Sequence, residues 1–228
     1  MKNLKLIVLL VFLSTIGCTV SRLQKAGTVT PDVFTSSFSF DTHKGVIGVD
    51  VEINGEKKRF LFDTGADFTL VQQDSIVGRT AKYAGASKRK MELGRAWIDS
   101  LNIGEITFEN TYALVGDMVG LKEQIPNFGG IIGQSIINKA NWLIDYPNRQ
   151  IQVSNQNLVD ASFTEIRIIR ENGGNPYTYL EMDGVQYKVV IDLGSSSTIN
   201  LPNDSKFGKA VMRSMDLSEH SRDRYTLG

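Results

Sequence analysis

Twice in this 228-residue chain an apolar triplet runs directly into an aspartate, with glycine two positions later. The first instance is Phe60-Leu61-Phe62-Asp63-Thr64-Gly65-Ala66. The second is Val189-Val190-Ile191-Asp192-Leu193-Gly194-Ser195. Each follows the same layout of a strand-like segment, a two-residue turn and a second strand-like segment. The turns are Asn54-Gly55 and Asp183-Gly184, the strongest short-range hairpin signal because these residues tolerate positive φ. The two segments align without gaps: Val51 to Ile53 over Leu180 to Met182, Gly55 over Gly184, Phe60 to Phe62 over Val189 to Ile191, Asp63 over Asp192, Gly65 over Gly194, Ala66 over Ser195 and Thr69 over Thr198. Hairpin patterning accounts for the strands and turns but not for the carboxylates, since an ionised Asp is costly to bury without partners. The repeat implies two similar lobes, each offering one aspartate, and packing about a pseudo-twofold axis would bring the two together.

Period-two alternation dominates the chain after residue 36, and sustained helical periodicity is scarce, so the fold class expected is all-β. Basic and acidic residues balance at 25 each, which gives no electrostatic case for a nucleic-acid partner; Lys88-Arg89-Lys90 reads as a solvated loop. A serine triad is disfavoured because His43 and His220 are the only histidines and no Gly-x-Ser-x-Gly occurs. Ser195-Ser196-Ser197 is assigned to the loop of the second aspartate. No cysteine or histidine cluster suggests a metal. Trp97 and Trp142 read as core or rim residues.

The N-terminus has a different character. A short basic start precedes the apolar run LIVLLVFLSTI and then Gly17-Cys18, the chain's single cysteine. The run has the length of a secretory signal and is too short to span a bilayer. It resembles a bacterial lipoprotein signal, departing from that pattern at Thr15. The resemblance implies a signal peptide over residues 1–17, lipid attachment at Cys18 and a cell-envelope location. With no acidic run after Cys18, that location is expected to be periplasm-facing. An ordinary secretory signal and a secreted protein is the alternative. Residues 18–35, polar and containing Gly27 and Pro31, read as a flexible tether.

The segment FLFDTGA resembles the active-site signature of aspartic peptidases, in particular the retropepsin-like and pepsin-like group. Downstream, Gly130-Ile131-Ile132-Gly133 matches the apolar-apolar-Gly motif whose strand passes beneath the aspartate loop in that family. NWLIDYPNRQIQV is similar to the closing strands of such lobes. The resemblance implies an acid-protease-like closed barrel over residues 36–158, with a short helix near Gln134 to Lys139, and a partial second copy over residues 159–228; within that copy the spacing of Phe207, Val211 and Met212 on one face predicts a helix over 205–213. It implies that Asp63 and Asp192 are catalytic. Thr64 would hydrogen-bond across the axis, Gly65, Ala66, Gly194 and Ser195 would complete the loops, Ile131 and Ile132 would pack beneath, and Gly133 would make room. A flap is expected between Lys82 and Trp97, with Tyr83 read as a surface aromatic at a strand end rather than the flap tyrosine. The second lobe departs from the pattern: Leu193 replaces the expected Thr, which would leave the cross-axis lock one-sided, and no apolar-apolar-Gly follows.

Two facing carboxylates share one proton over a broad acidic range and can activate a water between them, with no metal and no cofactor. The function expected is an envelope-anchored aspartic endopeptidase acting on peptide or protein substrates. One variant pairs lobe one with a second copy of itself as a homodimer. The alternative class is an inactive lipoprotein domain that binds peptides or a protein partner in the same cleft.

Overall fold

The computed structural model describes residues 19–84, 90–171, 174–182 and 184–196. The expected signal peptide, Cys18, Lys88-Arg89, Asp183, Ser197, Thr198, the helix over 205–213 and His220 lie outside the described residues.

Six strands form a ring. They are β4 (Val46–Ile53), β5 (Glu56–Phe62), β6 (Thr69–Gln72), β8 (Lys90–Ile103), β9 (Ile106–Gly116) and β10 (Phe128–Ile132). Around the ring β4 pairs with β5, β5 with β10, β10 with β6, β6 with β9, β9 with β8, and β8 with β4. Three strands flank it: β1 (Thr28–Thr30) on β9, β3 (Asp41–His43) on β4, and β7 (Thr80–Ala84) on β8. A second sheet of β2 (Thr35–Ser39), β11 (Asn141–Asp145) and β12 (Gln150–Ser154) closes one side. The fold is all-β, as the alternation predicts.

Local chemistry explains the turns. Asn54 and Gly55 both take positive φ (54° and 75°), which matches the twist of the β4–β5 hairpin. Tyr146-Pro147-Asn148 turns between β11 and β12, with Asn148 N donating to Asp145 Oδ1 at 3.0 Å. β5 explains the apolar triplet. Phe60 and Phe62 enter the main core with Ile47, Val49, Val51, Leu101, Ile103 and Ile132. Leu61 faces the other way, into a cluster with Val46, Met118, Ile125, Phe128 and Ile131. A strand buried on both faces and paired in parallel to a neighbour reads as a continuous hydrophobic run, and each large side chain it buries contributes about 1.5–3 kcal/mol.

The stretch expected to be a flexible tether departs from that reading in its described part. Residues 19–24 are helical (α1), β1 joins the main sheet, and β2 pairs with β12 from Thr35 onward. Val20 and Leu23 pack on the ring's outer side and buried Phe34 joins the core. These anchors are too widely spaced among polar residues to register as a periodic pattern.

Two short helices complete the lobe, α2 (Val119–Lys122) and α3 (Gln134–Ile137), the latter where the short helix is expected. Beyond β12, β13 (Tyr177–Met182) and β14 (Val185–Val190) form a hairpin, and an isolated antiparallel bridge joins Tyr177 of β13 to Ile169. Gly184 takes φ 70° at its turn. The hairpin repeats β4–β5: Met182 faces Val185 as Ile53 faces Glu56.

Candidate active site

Each hairpin delivers one aspartate at its end, and the two turns have the same internal bonding. Gly65 N donates to Asp63 Oδ1 at 2.7 Å, and Gly194 N donates to Asp192 Oδ1 at 2.9 Å. Ala66 N donates to Asp63 O and Ser195 N to Asp192 O, both at 3.4 Å. The glycines are required by the approach of the opposite loop. A methyl group built on Gly65 would lie 2.9 Å from Asp192 Oδ1, and one built on Gly194 would overlap the Asp63 carboxyl. Without side chains, the two glycines let the carboxyls meet.

Electrostatics separates the pair. Asp63 is 8% exposed, whereas Asp192 is open to solvent. Burial first, and then the charge of Asp192 and a side-chain hydrogen bond with it, push the Asp63 carboxyl up to about 7. The N–H bonds from Gly65 and Ala66 oppose that rise only in part.

Thr64 joins the loops. Its Oγ1 donates to Ile191 O at 2.8 Å and accepts from Leu193 N at 2.9 Å. The hydroxyl grips the backbone of the second loop, so a threonine at position 193 is not needed for this bond pair. The Leu193 side chain packs instead against the main core. A further bridge comes from Asn175, whose amide nitrogen, in the orientation that satisfies both partners, donates to Gly65 O at 2.8 Å and Asp67 Oδ1 at 3.3 Å.

The floor of the first loop is β10. Asp63 N donates to Ile132 O at 3.0 Å. Ile131 and Ile132 face opposite sides, Ile132 into the main core and Ile131 into the cluster around Leu61. A methyl group on Gly133 would collide with Phe68 O and sit 2.8 Å from Ala66 O. Gln134 and Ser135, almost wholly buried, complete the support. Gln134 Nε2 donates to Thr64 O at 2.6 Å, Gln134 N donates to Ala66 O at 2.9 Å, and Thr69 N donates to Ser135 Oγ at 3.0 Å. Sequence reasoning missed Gln134, Ser135 and Asn175. The first two had a signal, a polar pair inside the apolar stretch IIGQSII; Asn175 had none. In the expected flap region, β7 and β8 form a hairpin with Tyr83 opposite Met91. Tyr83 is partly buried against Phe68, Leu93, Tyr112 and Leu114 rather than a plain surface aromatic.

This β lobe seats its Asp-Thr-Gly loop on an apolar-apolar-Gly strand, the arrangement that the resemblance implies. In agreement, residues 49–136 match the family described as aspartyl protease, so the resemblance read from FLFDTGA and GIIG holds. Among solved structures, a retropepsin-like aspartic protease from Rickettsia conorii is similar at 15% identity and a TM-score of 0.41, over 57% of this chain and 95% of that one. No curated protein matches.

Proposed function

We propose that the chain is an aspartic endopeptidase held in the cell envelope by its N-terminus, with Asp63 and Asp192 as a one-chain dyad. The observation that carries the reading is the meeting of these two carboxyls across paired loops of matching hydrogen-bond geometry. Buried Asp63 keeps the shared proton and solvent-facing Asp192 carries the charge. Asp192 takes a proton from a water lying between them, and the water oxygen bonds to the scissile carbonyl carbon. Asp63 donates its hydrogen to the carbonyl oxygen. When the carbon–nitrogen bond breaks, the proton on Asp192 passes to the leaving nitrogen and the diol returns a proton to Asp63. Thr64, Gln134 and Asn175 hold the loops so that the carboxyls need not reorganise during the reaction. Lipid attachment at Cys18 after a signal peptide over residues 1–17, a second unit over residues 159–228, and a periplasm-facing location belong to the same proposal.

Peptide-library digestion by wild type, Asp63→Asn and Asp192→Asn tests it. Both variants are expected to lose cleavage; turnover that survives Asp192→Asn would move the second carboxyl to a partner copy. The solvent exposure of Asp192, together with a second unit of only two paired strands among the described residues, favours one competing reading, a peptide-binding module. Peptide capture with no hydrolysis by the wild type would establish that module.

A further inference from the structure

One face of the first lobe takes no part in the dyad. On the outer side of the ring, Phe68, Leu93, Tyr112 and Leu114 form an apolar cluster separate from the main core, and Val20 and Leu23 of α1 pack over it. α1 is fastened there by buried Gln24, whose Nε2 donates to Asp67 O at 2.9 Å. Trp97 stands on this cluster, edge-to-face with Tyr112 at 5.5 Å between ring centroids, yet it is 55% exposed. Three exposed cations share the surface: Arg22 on α1, Lys25 directly after it, and Arg95, hydrogen-bonded to Tyr83, on the same strand face as Trp97. Asp99 is the acidic group further along that strand face.

The occupant follows from what precedes α1. Cys18, the lipid-bearing residue of the proposed function, immediately precedes Thr19, the first residue of α1. α1 is only about 9 Å long at 1.5 Å per residue, and its Val20 and Leu23 already sit on the cluster, so position 19 lies close to this face. Lipid attached at Cys18 would therefore hold this face near the bilayer. Tryptophan favours the boundary between headgroups and acyl chains, and arginine and lysine favour anionic headgroups.

We propose that the face formed by α1 and Trp97 docks on an anionic phospholipid bilayer, with the Trp97 ring at the interface and Arg22, Lys25 and Arg95 over the headgroups. This inference rests on the membrane attachment in the proposed function, and the test separates the two. The full chain is reconstituted from detergent into vesicles of phosphatidylcholine with about a third phosphatidylglycerol, with and without brominated acyl chains. The Trp97 signal is taken as the difference between wild type and Trp97→Phe, which removes the contribution of Trp142. The expected result is a blue-shifted Trp97 emission that brominated lipid quenches by at least about half, and a loss of most of that quenching in Arg22→Glu/Arg95→Glu. A chain that floats with the vesicles while Trp97 stays unshifted and unquenched would overturn the docking and leave the attachment standing. A chain that fails to float with them would overturn both.

Discussion

Asp63 and Asp192 occupy equivalent places in their turns, yet one is buried and the other meets solvent. That difference decides which carboxyl keeps the proton, so the two residues are not interchangeable. In the proposed mechanism Asp63→Asn removes the donor to the carbonyl oxygen and should lower turnover at least ~100-fold, the low end for general acid–base catalysis. Its far-UV circular dichroism should stay native, because Asn can still accept from Gly65 N. Thr64 is a different case, since it both donates to and accepts from the second loop. Thr64→Val keeps the shape and strands Ile191 O and Leu193 N, at a cost of roughly 1–3 kcal/mol. Thr64→Ser should restore both bonds. Urea midpoints of the two variants check this, and an unchanged midpoint in Thr64→Val would remove the cross-loop role.

At the level of elements, the aspartate loop is only as well placed as β10 beneath it. Gly133 is the contact point, and Gly133→Ala forces a methyl group into the carbonyls of Ala66 and Phe68. Overpacking of this kind costs about 1–3 kcal/mol. The displaced loop should lower kcat more than it raises KM, which steady-state kinetics on a cleaved peptide would reveal. This pairing of β5 with β10 also shows what the sequence makes legible. The Asn54-Gly55 turn, the doubly buried Phe60-Leu61-Phe62 and the glycine at position 133 are local constraints, so each leaves a local trace. The roles of Gln134 and Ser135 are set by partners some 70 residues away in sequence, and only their polarity in an apolar stretch hints at them. α1 and β1 leave less trace still, because Val20, Leu23 and Val29 are isolated anchors whose burial is decided by the surface they land on. The part read as a tether is therefore the largest departure from the sequence reading.

For the whole molecule, the two units meet through the carboxyl pair, the Thr64 grip and the Asn175 bridge, and the first of these makes stability depend on pH. The Asp63 carboxyl lies near 3.8 when unperturbed and at about 7 in the fold. Between those values the folded state binds more protons than the unfolded chain, so stability falls as pH rises. The contribution is fully present below about pH 4, declines through the window and is gone above about pH 7. Three pKa units at 1.36 kcal/mol each set its ceiling at about 4 kcal/mol. Asp63→Asn has no proton to lose there, so its urea midpoint should vary less between pH 4 and 7.5 than that of the wild type, and it should be the more stable protein at the upper end. Asp192→Asn removes the neighbouring charge but leaves the desolvation, which is the larger cause of the shift. It should therefore narrow the window without abolishing it. Parallel pH profiles for wild type and both variants would contradict a folded-state encounter between the two carboxyls, since nothing else ties the titration of position 63 to the residue at position 192.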